Sequence, residues 1–151
     1  MNTDVLLRSP HSQEDYSAYY SLRWELLRQP LSLPRGSEQD QYEQQAIHCM
    51  AILNDSLVGV GRVHIDARQY AQIRYMAVRP LQQNSGIGRS IVDYLITQAQ
   101  QAGALHIWCN ARESAKDFYH HCGFRVVAQA HTDIAIPHLR MQYNFDSHCW
   151  A

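Results

Sequence analysis

The sequence predicts an α/β domain, an α+β sandwich in which one mixed sheet carries helices on both faces. Strand-like and helix-like segments alternate along the chain in the order β-α-(α)-β-β-β-α-β-α-β-β. The length of 151 residues suits a single domain spanning residues 1–151. That length is enough to bury a core without disulfides or metals, and a hydrophobic content of 46% argues against a disordered chain.

The N-terminal elements are a short strand and one helix. Residues 4–8, DVLLR, are apolar enough for a strand. Ser12 is a favourable N-cap, acidic residues follow it in the first turn, and Pro30 ends the helix. The face expected to be buried consists of Tyr16, Tyr19, Tyr20, Leu26 and Leu27. Residues 29–40, QPLSLPRGSEQD, form an irregular polar connection.

Three strands follow this connection. Residues 46–53, AIHCMAIL, are apolar on both faces, as in a central strand. The turn NDS leads into residues 57–65, LVGVGRVHI, so these two strands form a hairpin. Residues 69–78, QYAQIRYMAV, form the third strand, which the following Arg-Pro pair ends.

The second half of the chain repeats strand and helix. Apolar residues with helical spacing predict a helix that ends near Gly103; they are Ile87, Ile91, Val92, Leu95, Ile96 and Ala99. A strand at 104–110, a short helix at 114–122 and a strand at 124–129 come next. Residues 138–145, HLRMQYNF, alternate apolar and polar residues, which is typical of a half-buried antiparallel strand.

Charge and composition narrow the functional classes. The formal net charge of −1 gives no general affinity for nucleic acids or acidic membranes. The N-terminus has no signal architecture, and no apolar run reaches the roughly 18 residues of a membrane helix, so we expect a cytoplasmic protein. The cysteines Cys49, Cys109, Cys122 and Cys149 are scattered and expected to be reduced. Neither HHC at 120–122 nor HC at 148–149 has metal-ligand spacing, so we expect no metal.

A glycine loop, QQNSGIGRS at residues 82–90, lies between a predicted strand and a predicted helix. The dinucleotide pattern G-x-G-x-x-G is excluded because Ile91 stands where the third glycine is needed. A P-loop is excluded because the loop has no lysine. The remaining pattern, Q-x-x-G-x-G with Gln83, Gly86 and Gly88, suits a pyrophosphate at a helix N-terminus. An ordinary glycine-bearing turn is the alternative.

Two segments together resemble the GNAT N-acetyltransferase superfamily. Residues 75–103, YMAVRPLQQNSGIGRSIVDYLITQAQQAG, look like its acetyl-CoA-binding segment, and residues 110–124, NARESAKDFYHHCGF, look like its second conserved segment. The closing IPHLRM further resembles small bacterial GNAT proteins of unassigned substrate. The resemblance implies a GNAT-like, mostly antiparallel sheet of six to seven strands flanked by helices.

The resemblance also implies acetyl-CoA as cosubstrate and assigns residues to it. The pyrophosphate is expected on the loop residues Gln83, Asn84, Ser85, Gly86, Ile87, Gly88, Arg89 and Ser90. The pantetheine arm is expected beside Met76, Ala77 and Val78, and near Asn110, Ala115, Phe118 and Tyr119. The family has a bulge in the strand before the loop, so an N–H of Ala77 or Val78 would meet the thioester carbonyl. Tyr119 would be the general acid to the CoA thiolate.

Some roles stay open at this stage. Asn110 could instead cap the next helix in a pattern with Glu113, and Tyr119 could simply be a core residue. The strand before the loop carries no carboxylate base, so a water relay, His64 or His138 could take the amine proton. Residues 1–45 should form the acceptor side, where the candidate lining residues are Trp24, Arg28, Arg35 and Glu38.

The expected activity is transfer of the acetyl group of acetyl-CoA to a primary amine of a small molecule, directly within a ternary complex. The alternatives are acetylation of a protein or peptide, a non-catalytic acyl-CoA-binding regulatory module, and a nucleotide-binding protein. Neither nucleic acid nor membrane is an expected partner. A homodimer formed through an exposed edge of the final strand is compatible with the sequence.

Overall fold

A computed structural model describes residues 4–145 as one seven-stranded sheet with three helices. The strands are β1 Leu6–Arg8, β2 Ile47–Leu53, β3 Ser56–Ile65, β4 Tyr70–Val78, β5 His106–Arg112, β6 Phe124–Ala130 and β7 His138–Tyr143. The helices are α1 Gln13–Leu27, α2 Ile87–Gln101 and α3 Lys116–His121. Across the described chain, neighbouring strands are antiparallel except for the parallel pair β4–β5. The predicted fold class is confirmed.

The sheet order is β1-β2-β3-β4-β5-β7-β6. Strand β7 therefore lies between β5 and β6, and the sheet edges are β1 and β6. The prediction of an exposed edge along the final strand is wrong, because hydrogen bonding on both sides occupies the backbone of β7. A dimer through that edge has no support from this topology.

Helices cover the sheet on both faces. The larger core lies under α2 and α3 and contains the predicted apolar face of α2. The smaller core lies under α1 and includes Tyr19, Leu22, Met50 and Val60. Ser12 caps α1 as predicted, its hydroxyl oxygen accepting from the Asp15 N–H at 3.0 Å.

The buried face of α1 differs from the predicted one. Arg23 is completely buried beside Tyr19 and Leu22, whereas Tyr16 is 38% exposed. Arg23 can occupy this position because its guanidinium donates to the Glu43 carboxylate at 3.0 Å and to the Tyr19 hydroxyl at 3.0 Å. A buried charge that is paired and hydrogen-bonded is tolerated where an isolated one is not.

A bulge interrupts β4. Val60 pairs with Ala77 and Arg62 pairs with Arg74, so Tyr75 and Met76 together stand opposite the single residue Gly61. Tyr75 adopts a left-handed φ of 60°. A Cβ on Gly61 would lie 2.6 Å from the Met76 Sδ, so a side chain on β3 opposite the bulge would clash with Met76.

Strands β4 and β5 diverge beyond the bulge. Their parallel pairing runs from Tyr70–His106 to Ile73–Cys109 within the described residues. Beyond that point β4 continues to Val78 and β5 to Arg112. The split between the two strands leaves a gap in the sheet that is accessible from both of its faces, and the candidate site lies at this gap.

Two expectations about the whole chain can be compared with residues 4–145. In that range no helix is both long and apolar enough to cross a membrane. Cys49, Cys109 and Cys122 are free and buried. Cys149 and His148 lie outside the described residues.

Candidate active site

Two clefts open on either side of the split between β4 and β5. The first, here called the loop cleft, has a volume of about 640 Å³. It is lined by Met76, Ala77, Val78, Gln83, Asn84, Gly86, Gly88, Arg89, Ser114, Ala115, Phe118 and Tyr119. The second, the arginine cleft, has a volume of about 290 Å³ and is lined in part by Arg28, Gln72, Arg74, Asn110, Arg112, His131, Asp133 and His138. Met76, Ala115 and Tyr119 line both clefts, so the clefts meet at these three residues.

The glycine loop turns directly into the N-terminus of α2. Gly86 is the N-cap residue, with φ of 88°, and a Cβ there would meet nothing within 4 Å. Glycine is thus needed for the left-handed backbone, while the space in front of the loop stays open. The first N–H groups of α2 lack intrahelical partners and lie at the positive end of the helix dipole. This geometry suits an anionic group.

The end of β4 is tied to the loop by Gln83. Its Nε2 donates to the Val78 carbonyl at 3.1 Å, so the side-chain amide of this expected cofactor residue is engaged with the backbone. Gly88 packs on Phe118, since a Cβ at this position would approach the aromatic ring to 3.1 Å. The second glycine therefore makes room for a side chain that lines the loop cleft.

Most of the expected cofactor residues line the loop cleft, and four do not. Ile87 is buried in the core, so only its backbone can face a ligand. The hydroxyls of Ser85 and Ser90 donate to the carbonyls of Gln82 and Gly86. Asn110 lines the arginine cleft instead.

The structure also corrects the alternative role of Asn110 and adds a lining residue. Asn110 lies inside β5 and its Oδ1 accepts from Arg140 Nε at 3.4 Å, while Ala115 is the N-cap of α3. Capping by Asn110 is therefore wrong. Ser114 lines the loop cleft although the sequence did not single it out; its only signal was its position just before Ala115 in the second motif.

The direction of the N–H groups on β4 follows from strand alternation. Arg79 N–H donates to the Val58 carbonyl on β3 at 2.8 Å, and the Val78 carbonyl points the other way, to Gln83. Successive backbone groups point to opposite sides of a strand, so the N–H group of Val78 faces the split. Ala77, which pairs with Val60, faces β3. Of the two N–H donors expected for an oxyanion, only that of Val78 has the required direction.

Tyr119 is buried at the junction of the two clefts. It is 7% exposed, and its ring packs edge-on against Phe118 and Phe124. Burial above all, with smaller contributions from Cys109 and Cys122, raises the pKa of Tyr119 well above its ordinary value, so the phenol keeps its proton at neutral pH. Its hydroxyl makes no hydrogen bond to any residue between 4 and 145.

The two histidines considered as bases have different surroundings. His138 lines the arginine cleft, and its Nδ1 lies 2.6 Å from the Ile136 carbonyl, so Nδ1–H is the donor and Nε2 keeps its lone pair. His64 stacks on Tyr42 at 4.1 Å, its Nδ1 accepts from Arg62, and it lines neither cleft. Burial, followed by repulsion from Arg62, lowers the pKa of His64.

Of the four residues expected on the acceptor side, one lines the arginine cleft and three do not. Arg28 lines the arginine cleft. Trp24 donates to the Leu33 carbonyl, Arg35 stacks over Trp24, and the Glu38 carboxylate accepts from the Gly36 N–H, so these three residues hold the connection itself together. The sequence did not single out Arg112 as a cleft residue.

Among residues 4–145 no three His, Cys, Asp or Glu side chains are grouped to hold a metal ion. The split sheet, with a helix N-terminus at the loop and a buried tyrosine where the two clefts meet, is an arrangement suited to an acyltransferase.

The acetyltransferase (GNAT) family model matches residues 13–124, and the chain belongs to this family. The uncharacterized N-acetyltransferase YjcF of Bacillus subtilis (strain 168) is 27% identical over 131 residues, covering 86% of this chain and 93% of YjcF. Two solved structures share the fold. An acyl-CoA N-acyltransferase from Pseudomonas aeruginosa has a TM-score of 0.79 and 18% identity, covering 95% of this chain and 100% of its own. An aminoglycoside 6'-N-acetyltransferase complexed with coenzyme A has a TM-score of 0.75 and 15% identity, covering 92% and 95%.

Proposed function

We propose that this enzyme transfers the acetyl group of acetyl-CoA directly to a primary amine of a small molecule, both substrates being bound at once. The observation that carries the proposal is the junction of the two clefts at Tyr119. One substrate can enter from the loop side and the other from the arginine side, and their reacting ends would meet beside the tyrosine hydroxyl.

The loop cleft is the proposed binding site for acetyl-CoA. The N–H groups at the start of α2 and the side chain of Arg89 would hold the pyrophosphate, with Gly86 leaving open space in front. The pantetheine amides would run along the unpaired side of β4, as an added strand would. The Val78 N–H group, which faces the split, is the proposed donor to the thioester carbonyl.

The chemical step follows from these positions. The neutral amine attacks the thioester carbon, a C–N bond forms, and the negative charge that develops on the carbonyl oxygen is stabilised by the Val78 N–H group. The C–S bond then breaks and Tyr119 gives its proton to the departing thiolate. The products are the N-acetylated amine and CoA, and Tyr119 regains a proton from solvent or from the amine.

His138 is the proposed acceptor of the proton that the attacking ammonium must lose. It lines the cleft opposite the glycine loop, and its Nε2 lone pair is available because Nδ1–H donates to Ile136. His64 does not suit this role, since its Nδ1 is engaged by Arg62 and it lines neither cleft. A His138→Gln variant should require a higher pH to reach half of its maximal kcat/KM with a given amine, and an unchanged pH profile would eliminate His138.

The volume of the arginine cleft favours a small acceptor over a peptide. Its volume of about 290 Å³ is at the lower end of the range for small-molecule sites. A protein substrate would need an extended groove leading to Tyr119.

The test is release of the CoA thiol from acetyl-CoA, measured across amino acids, polyamines, aminosugars, aminoglycosides and short peptides. We expect amine-dependent thiol release and a melting temperature raised by acetyl-CoA but not by ATP or NAD. Binding of acetyl-CoA without turnover of any amine would support the regulatory module instead. Stabilisation by ATP or NAD alone would contradict the acetyl-CoA site, and turnover of peptides only would contradict the small-molecule acceptor.

A further inference from the structure

Three arginines line the arginine cleft from three different elements: Arg28 at the end of α1, Arg74 on β4 and Arg112 at the end of β5. Arg28 is 5% exposed, so the cleft wall rather than bulk solvent surrounds it. Cations concentrated in a small, partly dry cleft produce a strong positive potential.

Two of these arginines are held together without a carboxylate. Arg28 Nη1 and Arg112 Nη2 both donate to the Leu27 carbonyl, each at 3.1 Å. Leu27 is the last residue of α1, and a helix C-terminus offers only a partial negative charge. Within residues 4–145, neither Arg28 nor Arg112 forms an ion pair.

Two other buried arginines, Arg23 and Arg62, differ from this pair because carboxylates bind both of them. Arg62 is paired with both Asp40 and Glu43, and Arg23 with Glu43. Neither of them lines the cleft. Within the described residues, the buried arginines outside the cleft are thus paired with carboxylates, whereas Arg28 and Arg112 inside the cleft are not.

Arg74 extends the same positive surface. One of its terminal nitrogens donates to Asp40 at 2.9 Å, and no further bond from its guanidinium is made within the described chain. Burial above all, followed by the charges of Arg74 and Arg112, lowers the pKa of Arg28, although contact with Tyr75 opposes the shift. That direction agrees with an excess of positive charge in the cleft.

We propose that the acceptor amine carries a carboxylate or phosphate group, and that Arg28, Arg74 and Arg112 bind this anion. Guanidinium groups match planar carboxylates and phosphates through paired hydrogen bonds. The anion would anchor one end of the acceptor while the amine reaches the junction at Tyr119. Asp133 lines the same cleft from an exposed position and is not paired with these arginines, so it can attract the ammonium end. This inference rests on the proposed function, because it assigns the arginine cleft to the acceptor.

The first experiment compares acceptors that differ only in the anion. Thiol release from acetyl-CoA is measured with aspartate and asparagine, with glutamate and glutamine, with β-alanine and β-alaninamide, and with phosphoethanolamine and ethanolamine. The expected result is that kcat/KM is about tenfold to a hundredfold higher for the anionic member of at least one pair, the range for a charged hydrogen bond. The carboxylate and phosphate pairs show which of the two anions is bound. Equal rates within every pair that is turned over, or faster neutral members, would overturn the proposal.

The second experiment needs no turnover. Glutarate and inorganic phosphate are titrated by calorimetry into protein saturated with CoA, at constant ionic strength, so that the loop cleft is already filled. One of the two should bind, and Arg112→Gln should weaken that binding about tenfold or more while Arg112→Lys restores part of it. Arg125→Gln is the matched control, because Arg125 is exposed on β6 and lines neither cleft.

The outcomes separate the two proposals. Binding of neither anion to the CoA-saturated protein, or equal binding to wild type and Arg112→Gln, would overturn the anion site even if acetyl transfer occurs. Failure of the protein to bind CoA at all would instead refute the proposed function. A melting temperature of Arg112→Gln close to that of wild type shows that loss of anion binding is not a loss of fold.

Discussion

Replacement of Tyr119 by phenylalanine separates a catalytic role from a structural one. The hydroxyl lies where the two clefts meet and has no hydrogen-bond partner within residues 4–145, whereas the buried ring packs on Phe118 and Phe124. Phenylalanine keeps the ring contacts and removes only an unpaired polar atom. The free energy of unfolding should therefore change by less than about 0.5 kcal/mol, because the ring contacts are kept and no hydrogen bond within residues 4–145 is lost.

The effect on turnover should be large. General acid catalysis contributes about 10²- to 10⁴-fold to a rate, so kcat for thiol release by Tyr119→Phe should fall by that factor. The dissociation constant of acetyl-CoA, measured by calorimetry, should stay within about threefold of the wild-type value. The substitution removes at most one hydrogen bond between uncharged groups, and such a bond contributes little to binding. Because the pKa of Tyr119 is raised by burial, wild-type kcat should show no alkaline decline from this group up to pH 9.

The matched control is Tyr94→Phe, since Tyr94 is a half-buried tyrosine on α2 that lines neither cleft. Its kcat should equal that of wild type. If Tyr119→Phe kept wild-type kcat, the tyrosine would not be the acid. If it lost several kcal/mol of unfolding free energy, the hydroxyl would have a structural partner.

Three further predictions concern the loop and the buried charges. Gly88→Ala should weaken acetyl-CoA binding without unfolding the protein, because the new methyl would lie only 3.1 Å from the Phe118 ring and would displace this lining residue of the loop cleft. Calorimetry gives the affinity, and an unchanged affinity would contradict this reasoning. Arg62→Met should lower the free energy of unfolding in urea by about 2–3 kcal/mol, since it removes one of the two arginines that bind each of the carboxylates of Asp40 and Glu43; a loss below 1 kcal/mol would contradict this. Burial alone raises the pKa of Asp40, but hydrogen bonds from Arg62 and from the backbone, with attraction from the neighbouring arginines, lower it overall to about 2. The carboxylate thus stabilises the fold above about pH 4, and this stabilisation should be lost as the pH falls toward 2; Asp40→Asn should be less stable than wild type at pH 7 and should show a flatter loss between pH 4 and 2.

The elements and the cofactor side were predictable from sequence because their signals are local. The loop at 82–90 and the segment at 110–124 each carry their pattern within fifteen residues, and the apolar residues of α2 recur with helical spacing along its length. The boundaries of β4 and α2 consequently agree closely with expectation. The bulge was expected only by resemblance, since nothing in the letters RYMAV shows the left-handed φ of Tyr75.

The acceptor side was harder to predict because its contacts are distant in sequence. Arg62 meets Asp40 across 22 residues, and Arg112 meets Leu27 across 85. A signal was nevertheless present. Arg74 alternates with buried Ile73 on β4, and Arg112 alternates with buried Ala111 on β5, so two adjacent strands each present an arginine on the face away from the main core.

Tyr75 explains why so much positive charge gathers near the bulge. A left-handed conformation costs a residue with a Cβ about 1–2 kcal/mol, and Tyr75 is an aromatic residue that adopts it. Its buried ring has the guanidinium carbons of Arg23, Arg74 and Arg62 at 4.2, 4.5 and 5.0 Å from its centroid. Each such contact contributes up to about 2 kcal/mol where water is excluded, so together they are large enough to offset the strain of the bulge. The arginines repel one another, which is why Asp40 must lie among them. The arginines around Tyr75 therefore help to stabilise the bulged conformation of β4.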